Sequence, residues 1–337
     1  MVACIQDVET VTETGDGGLT ATAWEAFALA QGTVFHTARF LLPWWSDRLA
    51  KNASSRLTTV NVVADGQLIG ICAFELDAGE LSFAGGCDVV DYMGPAALAG
   101  REKDVAAALA RWLLDSPDWA RARLTGLAQD NPAAQAFTDE VLRLAPSTHA
   151  ETYDQAPRIE RAPQGYLALL NAKRRADVLR KRNRLIEAVG EVELVPSTHA
   201  TVEASLERLL AWKAEAGAAT QEFVAEYGGF VHCLLNGLTA ADAGRVVELH
   251  ADGRPLAAAI TLTHRDTTYI YNMAYDMNLS VDGAAPAGLA PGVVLVSLLV
   301  EQALDQGMRF DFLKGAQDYK LRLGGVPVDL TGLTLER

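Results

Sequence analysis

The sequence has few cysteines, and they follow no pairing or metal-ligand spacing. The four are scattered along the 337 residues at Cys4, Cys72, Cys87 and Cys233. This pattern argues against a disulfide framework or a zinc site and indicates a reducing compartment. We expect each to be a small buried apolar side chain, and we expect no bound metal.

Long apolar runs are also missing. No run reaches the ~18 residues that a membrane-spanning helix requires, and residues 1–7 lack a basic stretch followed by an apolar one. We therefore expect neither a membrane span nor a signal peptide, and a cytoplasmic location. Half of the residues are apolar and the mean hydropathy is +0.08, which is enough for one or two sizeable cores.

Basic residues are outnumbered by acidic ones, 29 to 43, which gives a net charge of −14. Such a balance repels polyanions at long range. Residues 173–184 depart from it, with seven basic side chains against one acidic inside a predicted helix over 164–189. Three interpretations stay open: a solvated helix face, the lining of a site for acyl-carrier phosphates, or a tRNA-binding surface. An isolated basic helix is not typical of nucleic-acid binders.

The second half of the chain reads as three strands followed by a helix. Apolar runs at 246–250, 256–262 and 268–275 are separated by turn signals, of which Asp252-Gly253 is the clearest. An amphipathic run over 293–306 and a short strand around Phe310 and Phe312 follow. This order predicts a mixed α/β sheet.

The segment between the third strand and this helix is rich in glycine and proline. A helix N-terminus leaves backbone N–H groups free and carries the positive end of the helix dipole, so it attracts anions. Glycine lets the backbone approach a bulky anion, and proline suits the first helical position. The sequence thus predicts a pyrophosphate site at Gly288, Leu289, Ala290, Pro291, Gly292 and Val293.

An internal repeat suggests two similar halves. Residues 64–74 echo residues 251–261, and both follow one apolar strand and precede another. We therefore predict two domains, 1–158 and 159–337, each a mixed, mostly antiparallel twisted sheet flanked by helices. The first is expected to act as a scaffold and acceptor wall, and the second to bind the acyl carrier and carry out catalysis.

The pattern from 246 to 323 resembles the second half of the N-acetyltransferase (GNAT) fold. Residues 290–292, 301–307, 310–315 and 319–320 are similar to the BioF2-like or CelD-like acyltransferases, which are related to the FemABX aminoacyl transferases. The resemblance implies biosynthetic N-acyl transfer from acyl-CoA, or from the phosphopantetheine of an acyl carrier protein, to a small-molecule amine. Two alternatives are aminoacyl-tRNA-dependent transfer and a catalytically inactive double-GNAT binding module.

The same resemblance suggests site residues. Backbone N–H groups of Met273, Ala274 and Tyr275 would stabilise the thioester oxyanion, and Asp311 is the leading candidate for general base or amine anchor. A turn cap is the structural alternative for Asp311. Further catalytic candidates are Asp276, Tyr319 and Lys320. The aromatic candidates for substrate binding are Trp44, Trp45, Tyr92, Tyr269 and Tyr271.

Overall fold

The computed structural model describes residues 8–280 and 286–337, without the side chains of Pro286 and Ala287. Cys4 therefore lies outside the described residues. The chain forms two compact units. Unit 1 comprises Met1–Gln155 and Val328–Arg337, and unit 2 comprises Ala156–Pro327. The boundary thus falls three residues before the one expected, and the last ten residues, expected in the second domain, belong to unit 1.

The first half of the chain contains seven strands and five helices in the described residues. In chain order they are β1 (Val8–Thr14), α1 (Gly17–Thr20), α2 (Thr22–Gln31), a 3-10 turn (Val34–His36), α3 (Ala38–Lys51), β2 (Arg56–Ala64), β3 (Gln67–Asp77), β4 (Glu80–Phe83), β5 (Ala96–Ala97), α4 (Glu102–Asp115), β6 (Arg121–Ala128), α5 (Pro132–Leu144) and β7 (His149–Ile159).

The second half continues with elements of the same kinds. They are α6 (Tyr166–Leu169), α7 (Ala172–Val189), β8 (Val192–Pro196), α8 (Val202–Glu215), α9 (Ala218–Ala240), β9 (Gly244–Ala251), β10 (Arg254–His264), β11 (Thr267–Tyr275), α10 (Pro286–Leu289), α11 (Pro291–Asp305), β12 (Arg309–Asp311), α12 (Asp318–Arg322) and β13 (Val326–Glu336). The helix expected over 164–189 is interrupted between α6 and α7.

The sheet of unit 1 has the strand order β1-β2-β3-β4-β6-β13-β7, with β5 paired to β3. Strands β1 to β4 pair antiparallel, whereas β4 and β6 pair parallel. A helix, α4, connects these two parallel strands, as a parallel pair requires.

The sheet of unit 2 repeats this arrangement. Its order is β8-β9-β10-β11-β12-β7, in which β8 to β11 pair antiparallel and β11 pairs parallel with β12. Helix α11 connects the parallel pair and corresponds to α4. The prediction of two GNAT-like mixed sheets is confirmed.

Matching hairpin turns account for the internal repeat. At the tip of β2–β3, Asp65 and Gly66 have φ of 51° and 73°; at the tip of β9–β10, Asp252 and Gly253 have φ of 48° and 73°. Positive φ at both central residues is the type I′ geometry that joins two twisted strands, and Asp-Gly is a preferred sequence for it.

Helices cover both faces of the unit 2 sheet. Val247 and Leu249 of β9 point into a core that also contains Val178 of α7 and Val294 of α11. Glu248, between them, points to the other face, where Arg208 of α8 pairs with its carboxylate. The alternation follows from the period of two along a strand.

The cysteine prediction holds only in part. Cys72 is buried, but Cys87 and Cys233 are exposed, so the expectation of burial was wrong for these two. Among the described helices, none is both long and apolar enough to span a bilayer.

Candidate active site

Strands β11 and β12 separate partway along their length. Their parallel pairing covers Thr267–Tyr269 and Arg309–Asp311, whereas β11 continues to Tyr275. Within the described residues, the edge of β11 that faces β12 therefore lacks a strand partner after Tyr269. The predicted oxyanion donors, Met273 to Tyr275, lie on this unpaired segment.

Helix α11 begins against the same segment. Ala290 at its N-cap has a left-handed φ of 51°, and no side chain in the described parts of the chain caps the first turn. A Cβ on Gly292 would lie 2.5 Å from Met273 Cε and 3.2 Å from Tyr275 Cδ1. Close packing of the helix on the strand therefore accounts for glycine at position 292, a role that the sequence did not reveal. The contact brings three predicted site residues together.

The basic helix α7 lies beside the turn that precedes α11. A Cβ on Gly288 would lie 3.3 Å from Arg184 Nη2, and Leu289 shares a core with Leu185. Arg184 is exposed, and among the described residues it forms no side-chain hydrogen bond or ion pair. Its guanidinium therefore remains available to an anion at the turn.

Arg182 anchors α7 to α11. Its guanidinium donates to Ser297 Oγ and Ser297 O, both at 2.9 Å, and to Glu301 Oε2 at 2.7 Å. Only 12% of its side chain is exposed. The interpretation of residues 173–184 as a solvated helix face therefore does not hold for Arg182. It does hold for Lys173, Arg174 and Arg175, which are exposed.

Asp311 is buried in an ion pair. Its side chain lies 3.1 Å from Arg158 Nε, and its Oδ1 accepts a hydrogen bond from the Leu313 N–H at 2.8 Å. Phe310 and Phe312 are buried on its two sides, as predicted. Asp311 is itself only 2% exposed, which corresponds to the turn-cap alternative.

Tyr269, Asp311 and Arg158 occupy one row across three neighbouring strands. Burial, and secondarily the charge of Asp311, raises the pKa of Tyr269. Both effects disfavour the phenolate. The row is thus a buried polar cluster in which Tyr269, a predicted substrate contact, stays protonated.

Lys320 fixes the turn that follows β12. It is 5% exposed, and its Nζ donates to Leu313 O at 3.1 Å and to Lys314 O at 2.7 Å. Leu313 has a left-handed φ of 60°, a conformation that a leucine adopts only when its surroundings hold it. Asp311 and Lys320 therefore stabilise the same turn: Asp311 accepts a hydrogen bond from its backbone, and Lys320 donates two to it.

The two other catalytic candidates differ in their surroundings. Asp276 pairs with Arg254 Nη2 at 2.8 Å and accepts the Asn278 N–H at 2.8 Å, so it closes the turn after β11. Tyr319 packs against the unit 2 core, and burial raises its pKa to about 12. Its hydroxyl has no hydrogen-bond partner in the part of the chain that the structure describes.

The aromatic candidates of unit 1 are core residues. Trp44 and Trp45 on α3 are each 5% exposed, as is Tyr92. The two indoles lie 5.9 Å apart, and Tyr92 packs 6.0 Å from Phe35. In unit 2, Tyr271 is half-buried.

The sequence missed Arg158 and Arg184. Arg158 lies on β7, which no local pattern connects to β12. Arg184 was part of the basic run, but helical periodicity alone could not show which side chain faces the turn. No group of three or more potential metal-ligating side chains occurs among the described residues.

Comparison with known proteins agrees with this architecture. Residues 172–321 match the model of an acetyltransferase (GNAT) domain. No match was found among curated proteins.

Among solved structures, the chain is similar to a conserved protein of unknown function from Bacteroides thetaiotaomicron (14% identity, TM-score 0.62, 97% of this chain and 100% of that chain). It is also similar to FemX (9%, 0.62, 95% and 96%). A third similar structure is a tandem GNAT protein from the clavulanic acid biosynthesis pathway (14%, 0.50, 98% and 98%). At these identities the likeness concerns the fold. The similarity to an acetyltransferase (GNAT) domain thus lies in residues 172–321, which form most of unit 2.

Proposed function

We propose that the chain transfers an acyl group from acyl-CoA, or from a carrier-protein thioester, to the amine of a small molecule. The observation that carries this proposal is the separation of β11 from β12 beside the start of α11, which no described side chain caps. N-acyl transfer requires a held carrier, hydrogen-bond donors for the oxyanion and a proton source for the leaving thiolate. Unit 2 offers candidates for each.

The carrier's phosphates suit the turn at 288–292. The first-turn N–H groups and the helix dipole attract anions, and Arg184 adds a guanidinium that can bind phosphate through two N–H groups. These donors suit a diphosphate group.

Tyr319 is the proposed general acid. A phenol whose pKa is raised to about 12 stays protonated at neutral pH, so its O–H can donate a hydrogen bond to the departing thiolate, and the proton that it passes on is replaced by the one that the attacking amine loses. Asp311 and Lys320 hold the preceding turn and thereby position Tyr319. The amine would reach the site neutral, or lose its proton to Asp276 or to water.

Two alternatives have specific support. Exposed Lys173, Arg174 and Arg175 on α7 favour a tRNA-borne donor, which predicts retention on tRNA at physiological salt with a steep salt dependence. Burial of Asp311 and Lys320 in structural pairs favours an inactive binding module, which predicts CoA binding without thiol release.

The proposal is tested by incubating the protein with acetyl-CoA and a panel of primary amines while free thiol is measured. Amine-dependent thiol release that falls in Tyr319→Phe supports it. If the protein binds CoA but no amine in the panel causes acetyl-CoA to be consumed, the inactive binding module is the better explanation.

A further inference from the structure

Helix α7 is held in place by few apolar side chains. Of its 18 residues, Val178 and Leu185 are the buried ones, and both belong to the unit 2 core. Apolar contacts are non-directional, so this short stripe leaves the rotation and the axial position of the helix weakly fixed. A directional contact is needed to set which side chains of α7 face the neighbouring elements.

Arg182 provides that contact. Besides its three hydrogen bonds to Ser297 and Glu301 of α11, its guanidinium lies 5.9 Å from the centre of the Tyr166 ring. Tyr166 is itself fixed, because it is 1% exposed and its hydroxyl donates to Leu323 O at 3.1 Å. A planar guanidinium with several bonded N–H groups tolerates little rotation. These contacts therefore fix α7 both around its axis and along it.

Stability alone is a poor reason for an arginine at this place. A charge pair is costly to desolvate, and apolar side chains of similar volume are often equally stable or more so. Both members of this pair are largely buried, since Arg182 is 12% exposed and Glu301 is 31% exposed. An apolar side chain could replace their packing but not their fixed geometry. The arginine therefore points to a requirement for the position of α7.

Arg182 and Arg184 lie on the two sides of the buried stripe. With 3.6 residues per turn, Arg182 is about 60° from Leu185 around the helix, and Arg184 is about 100° from it in the other direction. Arg182 bonds to α11 on its side. Arg184 lies beside the turn before α11, where a Cβ on Gly288 would be 3.3 Å from its Nη2. A rotation of α7 that moved Arg184 away from this turn would break the Arg182 hydrogen bonds.

We propose that Arg182 is a positioning residue of the donor site. It holds Arg184 at the turn over 288–292, and Arg184 binds the phosphate of the acyl carrier there. Arg182 itself is bonded to α11, so it acts on the carrier through Arg184. This inference rests on the proposed function, since it concerns the phosphate site of that reaction.

A double-mutant cycle tests the inference. Titration calorimetry gives the CoA affinity of the wild type, Arg182→Gln, Arg184→Gln and the double variant. We expect Arg182→Gln to weaken CoA binding by about 3- to 30-fold. The double variant should bind CoA as Arg184→Gln does, within about twofold, because no arginine is left at position 184 to be positioned. A merely structural role of Arg182 would instead weaken binding equally in both backgrounds.

Further variants separate position from charge and from stability. Arg182→Lys keeps the positive charge but loses the planar set of N–H groups, so it should still bind CoA at least about threefold more weakly than the wild type. Arg208→Gln is the matched control, since Arg208 pairs with Glu248 on the other face of the same sheet. It should lose stability in urea denaturation and keep the wild-type CoA affinity.

A second route is available if Arg182→Gln does not fold. Glu301→Gln removes the charge with which Arg182 pairs, and it takes the place of Arg182→Gln in the cycle, with the same expected coupling to Arg184. Wild-type CoA affinity in the position-182 variants, or independent effects that multiply in the double variant, would overturn the inference.

Failure of the proposed function gives a different result. In that case the wild type does not bind CoA, or Arg184→Gln binds CoA as the wild type does, and the positioning role falls with the donor site. If Arg184→Gln weakens binding but the cycle shows no coupling, the donor site stands and only the role of Arg182 falls.

Discussion

The guanidinium of Arg158 lies 3.1 Å from the carboxylate of Asp311. Arg158 is the second-last residue of β7, and Asp311 is the last residue of β12. Removing one member of a buried ion pair leaves the other charge uncompensated, which typically costs about 3–5 kcal/mol. Arg158 remains 21% exposed, so water partly compensates its charge and the cost here should be somewhat smaller than this range.

We therefore predict that Asp311→Asn lowers the free energy of unfolding by about 2–4 kcal/mol, as measured by urea denaturation. Asp118→Asn is the matched control, since Asp118 pairs with Arg56 on the surface and such pairs contribute about 0–1 kcal/mol. If Asp311→Asn is as stable as the control and only turnover falls, Asp311 acts in catalysis as the sequence suggested.

Gly292 supplies a second prediction. A methyl group at this position would overlap Met273 Cε, and overpacking a core costs about 1–3 kcal/mol. Gly292→Ala should therefore destabilise the protein by that amount in chemical denaturation. Gly288→Ala should have a smaller effect, because its Cβ would lie 3.3 Å from the nearest atom, Arg184 Nη2, whereas a Cβ on Gly292 would lie 2.5 Å from Met273 Cε and 3.2 Å from the Tyr275 ring. Equal effects would contradict the packing role of Gly292.

A third prediction concerns Tyr319. Tyr319→Phe removes the proposed proton donor but keeps the ring that packs in the core, so we expect turnover to fall by about 10²-fold with little change in CoA affinity. Because the pKa of Tyr319 is raised to about 12, its protonation should not limit the rate between pH 6 and about 10. Wild-type thiol release from Tyr319→Phe would exclude this role.

Burial lowers the pKa of Lys213 on α8, which predicts a pH effect on stability. The unfolded chain, with a lysine pKa of about 10.4, binds this proton more tightly than the folded chain. The stability of the wild type relative to Lys213→Met should therefore rise as the pH increases from the lowered folded pKa to about 10.4. Denaturation at a series of pH values measures this difference. A constant difference, or one that falls with pH, would contradict the desolvation of Lys213.

Local signals predicted the fold well. The Asp-Gly turns, the alternating strands and the helix after residue 290 depend on neighbours in sequence, so a single chain displays them. Periodicity also identified Phe310 and Phe312 as buried. That the last strand, β13, belongs to the sheet of unit 1 could not be predicted. This depends on its pairing with β6, which lies about 200 residues earlier in the chain.

The site was predicted less completely for the same reason. The sequence placed Met273, Tyr275 and Gly292 in one site, and the structure brings them into contact. The partner of Asp311 was not visible, because Arg158 precedes it by about 150 residues. The sequence therefore made Asp311 a candidate general base, whereas the structure buries its carboxylate in an ion pair. A pattern of polar residues cannot by itself separate a catalytic group from one that holds a turn.

The central claim is that unit 2 binds the phosphates of an acyl carrier at the turn beside Arg184. Titration calorimetry of CoA against wild type, Arg184→Gln and Arg175→Gln tests it most directly, because Arg175 is another exposed arginine on the same helix. The account predicts that CoA binds the wild type and Arg175→Gln alike, and binds Arg184→Gln about 10- to 100-fold more weakly, the scale of one charge-assisted contact. Equal affinities for all three proteins, or no CoA binding by the wild type, would contradict it.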